Sequence, residues 1–402
     1  MFFIFIINMN VPINSLCDLH NLVTKLNKKN NITNIEQLPN KVISTPSLIN
    51  SLHIGEISGK LPSNIINSTI YNINNKNIGY TPTLGYYSLR NLIATDLNKR
   101  KGFNILPDNI IITNGSKQGL FYAIKSLIKY GDEVIVHKPF WNSYKKLVEI
   151  EGGKIITIPL EKNGNLNIDI IKTYINSKTK IIIICNPHNP TGSIPEINSI
   201  KNLLSLVNGK DIYIISDEIY ERIDFYNKHK SLAFIAKKYN YKCNILTIGG
   251  FSKSHMMTGF RIGYLIANQN IIKKASILQQ NICTCVSSLS QYVAIDVLKD
   301  TESEKKIIEL NNCLKSRLII LKNIFKTYPL WDSKGAFYIF VDIKNKLKKS
   351  ENDKDLCKKL LNLGVAVAPG SLFGLPNYIR ISYACSEEIF NNSIPILKKF
   401  FL

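Results

Sequence analysis

Gly249-Gly250-Phe251-Ser252-Lys253-Ser254-His255-Met256-Met257-Thr258-Gly259-Phe260-Arg261 follows an apolar run, Asn244 to Ile248, that reads as a buried strand. Glycines there let the backbone turn or approach a ligand closely. Lys253 among apolar neighbours loses its proton readily, because leaving water disfavours the ammonium form. A neutral lysine amine is a nucleophile toward carbonyl groups. Ser252 and Arg261 stand where they would hold a phosphate, the arginine through a two-pronged fork. Lysine is abundant throughout the chain, so this stretch takes its meaning from what surrounds it.

Working outward, apolar strand-like runs alternate with helical patterns. Strands are predicted over Asn109–Thr113, Glu133–His137, Lys154–Ile158, Lys180–Cys185, Ile212–Ser216, Asn244–Ile248 and Arg261–Ala267. Helices are predicted over 86–101, 117–130, 141–150, 168–176 and 194–207. Continuous apolar strands separated by helices predict an α/β domain with a mainly parallel seven-stranded sheet. Ligands of such sheets sit beyond the carboxyl ends of the strands. Four clusters fall there: Asn114-Gly115-Ser116-Lys117, Asn186 to Gly192, Ser216 to Tyr220, and the opening stretch. The first is a strand, a small-residue turn and a helix start, which presents free N–H groups to an anion.

After Asn268 the pattern changes. Helices are expected over 271–280, 287–298 and about 303–328. Strand-like 335–342, a helix over 353–363, strands 365–368 and 378–383 and a last helix from about Ser386 follow. We expect a large domain over 51–285 and a smaller α+β domain over 286–402. A segment 1–50, with a helix around Leu19 to Leu26, packs with the latter. Ser51 to Glu56 reads as a short strand ending in a glycine turn, and Pro62 opens a helix.

The chain has 402 residues, 45% of them hydrophobic, and a formal net charge of +22. Its lysines are spread evenly, with no dense basic run or aromatic-interleaved patch, so neither nucleic acid nor membrane is expected as a partner. No segment approaches the roughly 18 uncharged apolar residues of a membrane span. The eight cysteines fit no metal-binding spacing. A reducing, cytoplasmic setting and no metal are expected.

Asn-Pro-His-Asn-Pro-Thr-Gly at 186–192, Ser-Asp-Glu-Ile-Tyr at 216–220, the lysine stretch through Arg261-Ile-Gly-Tyr264, and Arg380 come in the order found in class-I aminotransferases of fold type I. The chain resembles that family from about Gly55 to Glu388. The resemblance implies pyridoxal phosphate as cofactor. Lys253 would form the Schiff base and act as general base. Asp217 would pair with the ring nitrogen, and Tyr220 and Asn189 would hydrogen-bond the ring's phenolic oxygen. Trp141 would stack on the ring. The backbone at Ser116 and Lys117, the Ser252 hydroxyl and Arg261 would hold the phosphate. Tyr80 would reach the phosphate of a second subunit, which implies a homodimer with shared active sites. Arg380 would fork the substrate α-carboxylate, assisted by Gly55, with Trp141 and Asn189 also facing substrate. After Gly55-Glu56, where the family often has Pro-Asp-Phe, this chain has Ile57-Ser58-Gly59.

Gly-Ser-Lys-Gln-Gly-Leu-Phe at 115–121 resembles the turn of the aspartate aminotransferase branch. There the lysine, Lys117 here, meets the distal carboxylate of a dicarboxylate substrate. Three classes stay open. The first is amino-group exchange between L-aspartate and 2-oxoglutarate, or with aromatic amino acids or prephenate. The second is a lyase or synthase on the same fold. The third is a non-catalytic regulator, for which about 50 residues before Gly55 are too few to supply a DNA-binding module.

Overall fold

The computed structural model describes residues 13–30, 49–102 and 104–402. Most of the segment expected over 1–50 lies outside the described residues. By internal contacts the chain forms two compact units. The smaller contains residues 1–59, 314–331 and 337–402, and the larger contains 60–313 and 332–336.

The larger unit holds a seven-stranded sheet. Its strands are β2 (Ile110–Asn114), β3 (Glu133–Lys138), β4 (Lys154–Pro159), β5 (Thr179–Cys185), β6 (Tyr213–Asp217), β7 (Asn244–Gly250) and β8 (Ile262–Ile266), and the preceding strand, β1 (Asn50–Ser51), lies in the smaller unit. They run in the order β2-β8-β7-β6-β5-β3-β4. Strands β4, β3, β5, β6 and β7 pair in parallel, whereas β8 is antiparallel to both β7 and β2. The mainly parallel expectation therefore stands, with one reversed strand. Ile181, Ile182, Ile214 and Ile215 are fully buried. Strands covered on both faces need such unbroken runs of β-branched residues.

The helices expected between the strands form, with a further one, Leu232–Lys238, that the sequence reading left unassigned. Helix Ser288–Lys299 corrects the expected boundary at 285/286. It packs on Ser63–Asn75 and Tyr87–Lys101. Its Val293, Ala294 and Val297 share one buried cluster with Ile65, Leu89 and Ile93. Its apolar stripe therefore finds its cover in the larger unit, and the division falls later, within helix Thr301–Ile324.

The smaller unit contains the pair β1 (Asn50–Ser51) with β10 (Val365–Ala366). It also has an antiparallel sheet in the order β11 (Ala368–Pro369), β12 (Tyr378–Ser382), β9 (Tyr338–Asp342). Residues 51–59 lie here, not in the large domain expected from 51 onward. The strand expected over Ser51–Glu56 shrinks to β1 because its partner offers only two paired positions. The run expected from Gly335 starts as a strand only at Tyr338. Before it, the amides of Lys334 and Ala336 donate to the turn carbonyls of Gly192 and Ile223.

The larger unit buries histidines in neutral form. Burial pushes His137 and His229 down to about 4, and His188 and His255 down to about 3, from an ordinary 6.5. Between those values and 6.5 the unfolded chain binds protons that the folded chain refuses, so stability falls as pH falls through that window. Each histidine contributes up to about 1.4 kcal/mol per pH unit. Asp217, pushed up by burial, opposes this as a single group. The urea midpoint should therefore drop steeply between pH 6.5 and pH 4, and a flat profile would count against neutral buried histidines.

Candidate active site

Strand directions assemble the predicted clusters of the larger unit at one sheet edge. The carboxyl ends of β3, β5, β6 and β7 share that edge because these strands are parallel. Strand β8 runs the other way, so its start meets their ends: Ile262 pairs with Asn114 and Gly263 with Gly250. Thus Trp141, Asn189, Asp217, Tyr220, Lys253 and Arg261 all follow or precede strands at one edge, as does the Gly115–Ser116 turn.

The centre of this edge is a buried carboxyl. Asp217 is 5% exposed and ends β6 opposite Cys185 of β5 and Ile248 of β7. Its Oδ2 accepts the Tyr144 hydroxyl proton at 2.7 Å, and its Oδ1 accepts from the Ile219 amide at 3.3 Å. Burial pushes the Asp217 carboxyl up, Glu218 adds to this, and the Tyr144 and Ile219 bonds and the charge of Lys253 pull it back. A carboxyl so placed is ionised most readily beside a cation, which suits a protonated ring nitrogen. The neighbouring Glu218 points into a separate network. It accepts from Ser216, Ser231 and Lys101. Lys101 also pairs with Glu221 at 2.9 Å. These contacts hold Glu218 below the usual range despite its burial.

Asn189 and Tyr220 come together, the Asn189 amide donating to the Tyr220 hydroxyl at 3.5 Å, and both are buried. On the other side, Gly115 has φ +76, and a Cβ there would lie 2.4 Å from Arg261 Nη2. A Cβ on Gly263 would lie 2.4 Å from the Ser116 amide nitrogen. Glycine at both positions lets the Arg261 guanidinium and strand β8 lie close against the turn that opens helix Ser116–Leu127, and Arg261 Nη1 donates to the Thr258 carbonyl at 3.0 Å. Helix amides and a guanidinium drawn together in a cradle with no room for a methyl are a donor set that fits a phosphate. Ser252 is buried beside it in sequence, and its carbonyl accepts from Thr258. The residues present therefore fit pyridoxal phosphate: phosphate donors, a carboxylate and a lysine along one strand edge. Lys117 is exposed overall, but its ammonium lies 4.8 Å from the centre of the Trp141 ring. Burial of that end, then Arg261, lowers its pKa. Tyr80 is 89% exposed and contributes nothing to the burial of its own unit.

Two predicted residues lie in the smaller unit. Arg380, 1% exposed, is held between the rings of Tyr338 at 4.4 Å and Phe373 at 4.6 Å. Its Nη2 donates to the His53 carbonyl at 2.6 Å. Gly55 is required by space, since a Cβ would sit 2.2 Å from the Tyr338 hydroxyl.

Sequence reasoning missed Tyr144, Glu218 and His53. Tyr144 was detectable only as a polar-tipped ring one helical turn after Trp141, and its partner lies 73 residues away. His53, fully buried beside Arg380, is pushed down to about 3 by burial, His20 and Arg380. Nothing in its local sequence marks that.

Residues 49–392 match the family described as Aminotransferase class I and II. The chain is 31% identical to an aspartate aminotransferase of Thermotoga maritima over 87% of this chain and 90% of the relative. It is 33% identical to a probable aspartate/prephenate aminotransferase of Aquifex aeolicus over 80% and 82%. A crystal structure of aspartate aminotransferase from Thermotoga maritima superposes with a TM-score of 0.83 at 28% identity, covering 97% of each chain.

The cradle makes a test. Gly263→Ala puts a methyl against backbone at Ser116 and Gly115, which must shift. Affinity for pyridoxal phosphate should fall at least about tenfold, the equivalent of roughly one charged hydrogen bond, while far-UV circular dichroism stays unchanged. Unaltered affinity in a fluorescence titration would remove the cradle from the phosphate site.

Proposed function

The chain belongs to the aminotransferase class I and II family, and from that membership we propose that it exchanges an amino group between L-aspartate and 2-oxoglutarate by a ping-pong route. It is a transaminase of the pyridoxal phosphate-dependent kind, similar to the aspartate aminotransferase branch. The observation that carries the reading is the buried Asp217 carboxyl sharing a strand edge with Lys253 and with the Gly115–Arg261 cradle.

When bound, pyridoxal phosphate supplies an electron sink for the negative charge left on the substrate when its α-proton is removed. In the proposed scheme, Ser116, Lys117 backbone, Ser252 and Arg261 hold the phosphate. Asp217, as a carboxylate, keeps a proton at the ring nitrogen. Tyr220 and Asn189 donate hydrogen bonds to the phenolic oxygen. Trp141 packs on the ring. Lys253 would anchor the cofactor, and its amine, when free, would move the proton from the substrate's α-carbon. Arg380 and Gly55 are assigned the substrate's α-carboxylate, and Arg380 keeps its charge whatever its burial.

Lys117 supports a dicarboxylate. A cation in the first turn of a helix opposes the helix dipole, a cost that an anionic ligand would offset, and the Trp141 ring face compensates it only in part. Aromatic amino acids or prephenate are the second reading, favoured by the name of the Aquifex aeolicus relative. A lyase on this fold would use the same α-carboxylate contacts without needing an oxo acid. A homodimer is proposed from Tyr80 and from Ile66, Ile70 and Ile73, which lie exposed at helical spacing. Eight free cysteines favour a reducing, cytoplasmic setting.

The test is visible absorbance of the protein loaded with pyridoxal phosphate. Addition of L-aspartate should bleach the band and 2-oxoglutarate should restore it. Bleaching without oxo-acid recovery would point to a lyase, and a band indifferent to aspartate would remove the substrate assignment. Lys253→Ala should abolish turnover while still binding the cofactor non-covalently. Near-normal turnover in that variant would sink the lysine's role. Lys117→Ala should lower kcat/KM for L-aspartate by about 10–100-fold, the range of a lost charged contact, and spare phenylalanine. Equal losses for both amino acids would overturn the dicarboxylate reading.

A further inference from the structure

Tyr144 belongs to none of the motifs above, yet it touches the most consequential carboxyl of the site. It sits in helix Ser143–Ile150, is 3% exposed, and gives its hydroxyl proton to Asp217 Oδ2 at 2.7 Å. Its ring meets Trp141 edge to face, with centroids 5.5 Å apart and planes at 86°. A tyrosine hydroxyl in a dry interior needs a partner, and this one takes a group that the surroundings otherwise leave with a single long amide bond.

We propose that Tyr144 is a positioning residue of this transaminase, orienting and holding the Asp217 carboxylate for the cofactor's ring nitrogen while bracing Trp141 on the same ring. The inference rests on the pyridoxal phosphate reading of the site. Its physical basis is that rotation of Asp217 is limited by what its oxygens bond. With Oδ2 tied to Tyr144, Oδ1 is the oxygen with the weaker bond and the one left to vary its contacts. The groups facing Asp217 and Tyr144 are Cys185, Glu218, Lys253 and the Ile219 amide. Cys185 lies against the Tyr144 hydroxyl while its thiol donates to the Pro187 carbonyl at 3.3 Å. Glu218 disfavours a charge on Asp217, and Lys253 favours it but is consumed as the cofactor anchor. With Lys253 so used, Tyr144 is the side-chain donor left to Asp217, beside the longer bond from the Ile219 amide. The same side chain thus couples the floor of the site to its stacking wall. A phenylalanine would keep the wall and lose the floor.

Tyr144→Phe separates these roles, because it removes one oxygen and leaves the edge contact with Trp141. In the holoenzyme, kcat should fall by about 10–100-fold, as expected for one hydrogen bond to a charged group, with KM for the amino acid changed less than about threefold. The pH midpoint of the bound cofactor's visible band should move, and cofactor affinity should weaken. A residue that merely fills space would lower the melting temperature and leave that midpoint where it was. In an Asp217→Asn background the further cost of Tyr144→Phe should nearly vanish, since the two act as one unit. The cycle also serves if either single variant loses stability, because it compares like with like. An unchanged midpoint, or full additivity of the two substitutions, overturns the proposal. Failure of the unsubstituted protein to form any band with pyridoxal phosphate overturns the cofactor reading itself, and this inference with it.

Discussion

A carboxyl group buried where ionisation is disfavoured is the constraint around which the larger unit is arranged. Asp217 ends a central strand between two other buried strands, beyond the reach of solvent. Taking a carboxylate there costs several kcal/mol unless hydrogen bonds and a counter-charge compensate. The protein supplies the bonds itself, from Tyr144 and Ile219, and part of the charge from Lys253. The remaining deficit is what a cationic ring nitrogen would fill. The adjacent acid, Glu218, has the opposite solution. Lys101 and two serines satisfy it completely, so it stays inert beside a reactive neighbour.

The second organising element is the reversed strand β8. A wholly parallel sheet would carry the chain after β7 away through a crossover of a dozen residues or more. Here the chain turns back within Phe251–Arg261 and re-enters the sheet between β7 and β2. That return sets Lys253 and Arg261 on one short turn and brings Gly263 against the Ser116 amide. The proposed anchor and phosphate donors are thereby carried by the same backbone, and glycines at 115 and 263 allow it to approach the Ser116 turn closely. The precision of the proposed phosphate site therefore depends on a strand direction that no local propensity encodes.

In the smaller unit the same problem of a buried charge is handled by aromatic faces. Arg380 lies between Tyr338 and Phe373 and is tied to the His53 carbonyl. Ring faces accept a weakly hydrated guanidinium. Gly55 is as much a part of this arrangement as the rings, because any side chain there would collide with the Tyr338 hydroxyl.

Much of this was legible in the residue order. Isoleucine-rich runs bounded by turn residues mark buried strands, and the motifs at 115–117, 186–192, 216–220 and 252–261 mark strand ends, because both signals are carried by neighbours along the chain. Arg380 was legible through its motif as well. Other features were settled only by packing. The helix Ser288–Lys299 joined the larger unit because its apolar stripe is covered there. Strand β1 is short because its partner is short. Tyr144 became the partner of Asp217 across 73 residues. Periodicity tells which face of an element must be buried, and a motif tells which chemistry a turn carries. Neither states which distant side chain will share the enclosed space, since that choice depends on where the whole sheet places each strand end.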